Sequence, residues 1–326
     1  MKNVYLIITI ILLLAFLLMP LLAMENKNKT GNKSSGKTVS KVQTSELKDV
    51  SEFTVYINSQ NTTKKLDRQE YLLGVIAAEI SPENNEEAIK AQALAAYTFA
   101  YRKKSQNSSS NYDITTDSSL DQGYLTEEER AKKWGEKKDE YEKKILGAIK
   151  AVEGKLIVYD NKPILAAYHS VSAGKTETAA NVWGTDYPYL QSENSVGDLL
   201  APDYLSEVKL SVDDFKKCCT EKLSCNPAGD PAAFIGKLEK TKAGTVKKIS
   251  ICSKEISGQD VRKAFSLRSA AFTLTYKDNN FIFSVTGYGH GVGMSQFGAN
   301  YMALQGSSYE EIIKTYYRDV SIVNLK

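Results

Sequence analysis

Three segments carry the residues whose types and spacing could do chemistry, and Glu79 stands in the first. On a helical period its same-face neighbours are Leu72, Val75 and Ile76. A carboxyl on an apolar stripe resists ionisation, because burial disfavours the charged form. A raised pKa is what a general acid needs near neutral pH. Ser81-Pro82 ends the helix just beyond Glu79, where a helix end can open onto a cleft. A glutamate at a helix C-terminus can also swing to solvent or pair with a lysine, and position alone leaves that choice open.

The second segment, Gly287-Tyr288-Gly289-His290-Gly291-Val292-Gly293-Met294-Ser295-Gln296-Phe297-Gly298, has five glycines in twelve residues. Glycine permits positive φ and close backbone approach. The spacing matches neither the dinucleotide-binding fingerprint nor the phosphate-binding loop with its lysine, so a nucleotide site is not supported. A glycine-rich structural turn is the competing reading, against which His290 counts as one of only two histidines. The other is in the third segment, Ala167-Tyr168-His169-Ser170-Val171-Ser172-Ala173-Gly174-Lys175-Thr176-Glu177. A strand there runs into hydroxyls, an imidazole and a carboxylate, groups that could grip a polar ligand or simply satisfy one another in a turn.

Other constellations are weaker. Ser170, His169 and Asp186 lack a nucleophile elbow. Cys252 with His290 has no local support as a thiol–imidazole pair. Cys218, Cys219, Cys225 and Cys252 match no common zinc spacing, and disulfide pairing suits them better in an extracytoplasmic body.

The elements that must position these residues follow from the pattern. Phe53–Ile57 alternates as a strand. A helix opens at Asp67 and a second is capped by Asn85, with Glu86 and Glu87 in its first turn and Arg102, Lys103 and Lys104 in its last. After a polar loop, a charged stretch from Thr126 to about Val152 reads as one helix with a solvated face. Residues 155–170 read as a hairpin turning at Asn161-Lys162, and residues 272–287 as another turning near Asp278-Asn279. A strand at 245–252 and a short helix at 258–265 lie between them. One helix follows Ser295, and the capping box Ser308-Tyr309-Glu310-Glu311 opens the last. Helices early and strands later make the class α+β.

The 326 residues carry a net charge of +3, too little for a polybasic nucleic-acid binder. Residues 4–23 hold no charge and are long enough to cross a bilayer as a helix, so 1–23 is expected to be an uncleaved membrane anchor. Residues 24–52 are rich in Lys, Asn and Ser and read as a flexible tether, while 53–326 form the folded body. Residues 51–326 carry a net −1, so the excess of basic charge belongs to the N-terminal approach. Lysines after the span weakly favour a cytoplasmic body.

The stretches YLLGVIAAEISPENNEEAIKAQALAAYTFAYRK, AAYHSVSAGKTETAANVWG, GQDVRKAFSLRSAAF and GYGHGVGMSQFGANYMA together resemble the stage II sporulation protein D family, from about Phe53 to the C-terminus. The resemblance implies a peptidoglycan lytic transglycosylase of endospore-forming bacteria, acting during engulfment. Such an enzyme cleaves between N-acetylmuramic acid and N-acetylglucosamine without adding water and leaves 1,6-anhydro ends. The family's catalytic glutamate falls on Glu79, and Tyr168, His169, Ser170, Ser172, His290, Ser295 and Gln296 are expected to position the sugars.

The resemblance also implies an extracytoplasmic body on a single-pass anchor, against the lysine count, and a preference for glycan stripped of its stem peptides. The implied partners are an amidase, stage II sporulation protein P, and a membrane protein, stage II sporulation protein M. No cofactor is expected. Some clostridial relatives bind zinc through Cys and His after the second helix; residues 105–125 here have neither, so no catalytic metal is expected. Relatives often carry Arg where this chain has Tyr97. Related domains also occur in modifiers of cell-wall amidases, which leaves a non-catalytic glycan-binding role as the alternative.

Overall fold

Residues 47–107 and 110–326 are described by the computed structural model. The apolar span at 4–23 and the tether as far as residue 46 lie outside them. No helix among the described residues is long and apolar enough to cross a membrane.

The chain begins with an antiparallel hairpin, β1 (Glu52–Ile57) and β2 (Thr62–Asp67), whose first strand also pairs in parallel with β3 (Ile114–Thr115). Asp67 caps α1 (Arg68–Glu79) by accepting from the N–H groups of Gln69 and Glu70. Ile80 is already extended, as the following Ser81-Pro82 requires, so Glu79 is the last helical residue. Asn85 caps α2 (Glu86–Gln106), which buries Ala88, Ala91, Ala93, Ala95, Ala96 and Ala100. These small side chains let neighbouring helices pack closely against it.

The charged stretch is two helices rather than the single one expected. α3 (Glu127–Trp134) ends at Gly135, whose φ of 55° breaks the ladder, and α4 (Lys138–Ala151) follows. Nor is its charged surface wholly solvated. Arg130 is buried and pairs with Glu70 of α1 and Glu142 of α4.

The expected hairpin at 155–170 also needs correction. β4 (Lys155–Tyr159) turns at Asp160 and Asn161, both at positive φ, into a two-residue β5 (Lys162–Pro163). The chain then leaves this sheet, and β6 (Tyr168–His169) pairs in parallel with a distant strand. After the short α5 (Ala179–Trp183), residues 205–286 build a unit with its own core. It comprises β7 (Leu205–Ser211), α6 (Val212–Leu223), β8 (Ile235–Lys240), β9 (Val246–Ile251), β10 (Lys254–Ser257), α7 (Gly258–Ala264), β11 (Phe272–Lys277) and β12 (Asn280–Thr286). Phe215, Phe265, Phe272, Phe281 and Phe283 fill that core. The β11–β12 hairpin turns at Asp278-Asn279, as expected. Next come β13 (Met294–Ser295), α8 (Gln296–Leu304), α9 (Tyr309–Tyr316) and β14 (Ser321–Asn324), the last paired with β4. The body is a mixed α+β structure.

The final residues of the stretch read as a tether are held by the body. Asp49 pairs with Arg68 at 2.5 Å and accepts from the Tyr97 hydroxyl at 2.8 Å, and the Val50 N–H donates to the same hydroxyl. Tyr97 thus clasps the entry of the chain into the fold.

Candidate active site

Leu72, Val75 and Ile76 of α1 are buried, and Glu79 sits half-buried at the end of their stripe. Its Oε1 accepts from the Gly123 N–H at 2.9 Å, and its Oε2 lies 3.4 Å from Gln296 Nε2. Burial raises its pKa, and those two donors, which favour the carboxylate, oppose the rise. Glu79 makes no ion pair among the described residues; the nearby Lys133 instead donates to the Ala77 carbonyl at the helix end. Clefts open on either side of the carboxyl. One is lined by Lys133, Trp134 and Tyr141, and the other by Ser170, Arg268, Gln296 and Phe297. The two further carboxylates along them, Glu83 and Asp203, are exposed and engaged by Tyr141 and Arg268.

Glu79 is fixed from a loop in which the sequence offered no candidate. Gly123 leaves no spare room, since a Cβ there would stand 3.1 Å from Glu79 Oε1. Its neighbour Gln122 is buried, accepts from the Tyr71 hydroxyl at 2.8 Å and donates to the Tyr168 hydroxyl at 2.7 Å. Asp121 anchors the loop by accepting from the Thr115 N–H and pairing with Lys103. No periodicity marks these residues; a polar Gln between Asp and Gly is the sole trace they leave.

The second and third segments are zipped together. Met294 pairs with Tyr168 and Ser295 with His169, and bridges join Val171 to Tyr288 and Glu177 to Val292. Gly293, at φ 73°, makes this possible: a Cβ there would lie 2.0 Å from the Ala167 carbonyl oxygen. The Val292 peptide sets both imidazoles. Its carbonyl accepts from His169 Nδ1 at 3.2 Å, and its N–H donates to His290 Nδ1 at 3.0 Å. His169 is therefore the Nδ1–H tautomer and His290 the Nε2–H tautomer. Burial lowers the first to about 4 and the second to about 3, so both rings are neutral at pH 7. His169 is fully enclosed. His290 faces a third cleft, of about 410 Å³, with Tyr168, Gln122, Leu120, Tyr187 and the exposed Trp183.

The expected hydroxyls divide. Ser170 lines the Glu79 cleft. Ser172 and Ser295 instead converge on Asp198, a fully buried carboxyl that the sequence did not single out. The Ser172 N–H and hydroxyl reach its Oδ2 at 2.8 and 2.5 Å, and the Ser295 hydroxyl reaches its Oδ1 at 2.7 Å. Burial raises the pKa of Asp198 against these bonds. Ser295 also caps α8 by accepting from the Gly298 N–H, which aims Gln296, the first residue of that helix, at Glu79. The structure thus gathers Glu79, Ser170 and Gln296 at one cleft and Tyr168 and His290 at the next. His169, Ser172 and Ser295 lie behind them.

No set of three or more His, Cys, Asp or Glu side chains suited to a metal occurs among the described residues. Cys252 packs against the core of the 205–286 unit, where burial pushes its thiol up. It lines none of the clefts around Glu79 or His290.

The fold is α+β with a desolvated carboxyl between two grooves, and the sequence that builds it matches known sporulation proteins. The profile of the Stage II sporulation protein family matches residues 56–159, the stretch that holds Glu79 and Gly123. The chain is 38% identical to Stage II sporulation protein D of Bacillus amyloliquefaciens, over 82% of this chain and 77% of that protein. It is 34% identical to Stage II sporulation protein D of Bacillus subtilis (strain 168), over 82% and 78% respectively. An amidase enhancer of the same organism is 27% identical over 78% of this chain and 40% of its own length. The chain belongs to the stage II sporulation protein D family.

Proposed function

We propose that this chain is a lytic transglycosylase that cleaves peptidoglycan glycan strands, with Glu79 acting first as acid and then as base. The observation that carries the reading is the single carboxyl held half-buried, protonation-prone and without an ion pair between two clefts. The protonated carboxyl gives its proton to the glycosidic oxygen as the bond to C1 breaks and positive charge develops on the muramic ring. The carboxylate so formed takes the proton of the muramic C6 hydroxyl as that oxygen attacks C1, which closes the 1,6-anhydro ring and restores the acid. No water enters, and no second carboxylate has to act as nucleophile, unlike the usual glycosidase pair. Gln296 holds the carboxyl, and Ser170, Tyr168 and His290 offer hydrogen bonds to the strand. His169, Ser172 and Ser295 support those groups from behind.

The reading carries with it a membrane-tethered body outside the cytoplasm that acts on amidase-stripped strands. Stage II sporulation proteins P and M are its proposed partners. The test is to incubate the chain with amidase-treated peptidoglycan and analyse the products by mass spectrometry. Anhydro-muramic ends that disappear in Glu79→Gln are expected. Reducing ends would instead indicate a hydrolase. The resemblance to an amidase enhancer favours a second reading, a glycan-binding modifier that stimulates an amidase without cutting. That reading predicts no cleavage by the wild type and unchanged stimulation by Glu79→Gln.

A further inference from the structure

The hydrogen-bond line from Tyr71 through Gln122 to Tyr168 has a direction, and burial decides it. An amide can be turned end for end, so Gln122 could in principle donate to Tyr71 and accept from Tyr168. In that orientation the Tyr71 hydroxyl proton would be left without an acceptor, since Gln122 is its one hydrogen-bond partner among the described residues. Tyr71 is 1% exposed and Gln122 2%, so the orphaned donor would be sealed from water at full desolvation cost. The observed orientation avoids this. Tyr71 donates to Gln122 Oε1, and Gln122 Nε2 donates to the Tyr168 oxygen. Tyr168, half-buried at the edge of the cleft, then has its own O–H proton free to point into it.

A donor of fixed polarity suits an acceptor-only group, whereas sugar hydroxyls can turn to either role. Among the acceptor-only groups of the strand, the acetamido carbonyl is the one that both sugars carry with a methyl beside it. The same cleft exposes Leu120 and Trp183, apolar surface against which a methyl can pack. We infer that the Tyr168 hydroxyl is a dedicated donor to the acetamido carbonyl of a sugar bound next to Glu79, and that Tyr71 and Gln122 are positioning residues that fix its polarity. This deepens the glycan-cleaving reading and rests on it.

The experiment measures binding to the full chain of two probes, the N-acetylglucosamine tetramer and the glucosamine tetramer, by calorimetry. Tyr168→Phe removes one oxygen and should weaken the acetylated probe about tenfold, leaving the other unchanged. Gln122→Met should do the same, and the double variant should be no weaker than either single, because Gln122 acts only through Tyr168. Tyr71→Phe should give a smaller loss that vanishes in the Tyr168→Phe background. Additive losses, or equal losses for both probes, would overturn the inference while leaving the glycan reading intact. Should Gln122→Met fail to fold, the selective loss in Tyr168→Phe and its coupling to Tyr71→Phe still decide. A wild type that binds neither tetramer overturns the glycan reading, and the inference with it.

Discussion

The protonation of Glu79 is set by burial and by two hydrogen-bond donors, whose effects can be separated. Burial raises its pKa, while the Gly123 N–H and the Gln296 amide favour the ionised form and pull it back. A general acid works only while protonated, so cleavage should fall as pH rises through that raised value. Gln296→Met removes a donor to the carboxylate, so the pKa should rise further and the alkaline limb of kcat should move to higher pH. A limb that moved down, or stayed put, would show that Gln296 does not contact the carboxylate during turnover. Gly123→Ala tests the other donor. The added Cβ at 3.1 Å from Oε1 must shift the carboxyl by a few tenths of an ångström. Displacements of well under an ångström still matter at a reacting atom, so kcat should drop roughly tenfold or more. The melting temperature should hardly change, because the loop keeps its anchor at Asp121.

At the level of elements, the site depends on how α1, the 121–123 loop and the start of α8 are locked together. Asp198 holds the last of these. Its carboxyl takes three hydrogen bonds from Ser172 and Ser295, and Ser295 in turn begins the helix that presents Gln296. Asp198→Ala would leave two buried serines without their acceptor, and should cost about 2–4 kcal/mol in urea unfolding. It should also lower kcat more than it raises KM, because it misaims Gln296 rather than emptying the cleft. The sequence made α1 and Glu79 legible because a 3.6-residue period, a capping Asp67 and Ser81-Pro82 all agree there. It made the glycine-rich turn and Ser295 legible through composition and capping chemistry. It could not show Asp198, Gln122 or Gly123, whose importance comes wholly from partners far along the chain. The hairpin expected at 155–170 forms but stops at residue 163, for a similar reason. The local alternation is real, but residues 168–169 find a better partner in residues 294–295 than in β4.

On the scale of the whole molecule, His169 is enclosed and His290 half-buried where β6, the glycine-rich turn and the 205–286 unit meet. Arg262, from α7 of that unit, adds its charge to burial in keeping both rings neutral. This ties stability to pH with a definite sign. Above about pH 6.5 the rings are neutral in both folded and unfolded chains, and their contribution is fully present. Below it the unfolded chain takes up protons that the folded rings refuse until about pH 4 for His169 and about pH 3 for His290. Stability is therefore lost as pH falls through that window, by about 1.4 kcal/mol per pH unit for each ring. Glu79 and Asp198 work in the opposite sense, because their raised pKa values let the folded chain bind protons first. The absolute slope mixes all four groups, so the informative quantity is a difference between variants. Urea midpoints measured from pH 7 to pH 5 should fall less steeply in His169→Gln than in the wild type. Over that interval the stability lost should differ by about 2 kcal/mol, because the effect sets in only below about pH 6.5, even though His169→Gln starts from a lower stability at pH 7. Equal slopes would mean that His169 is charged inside the fold.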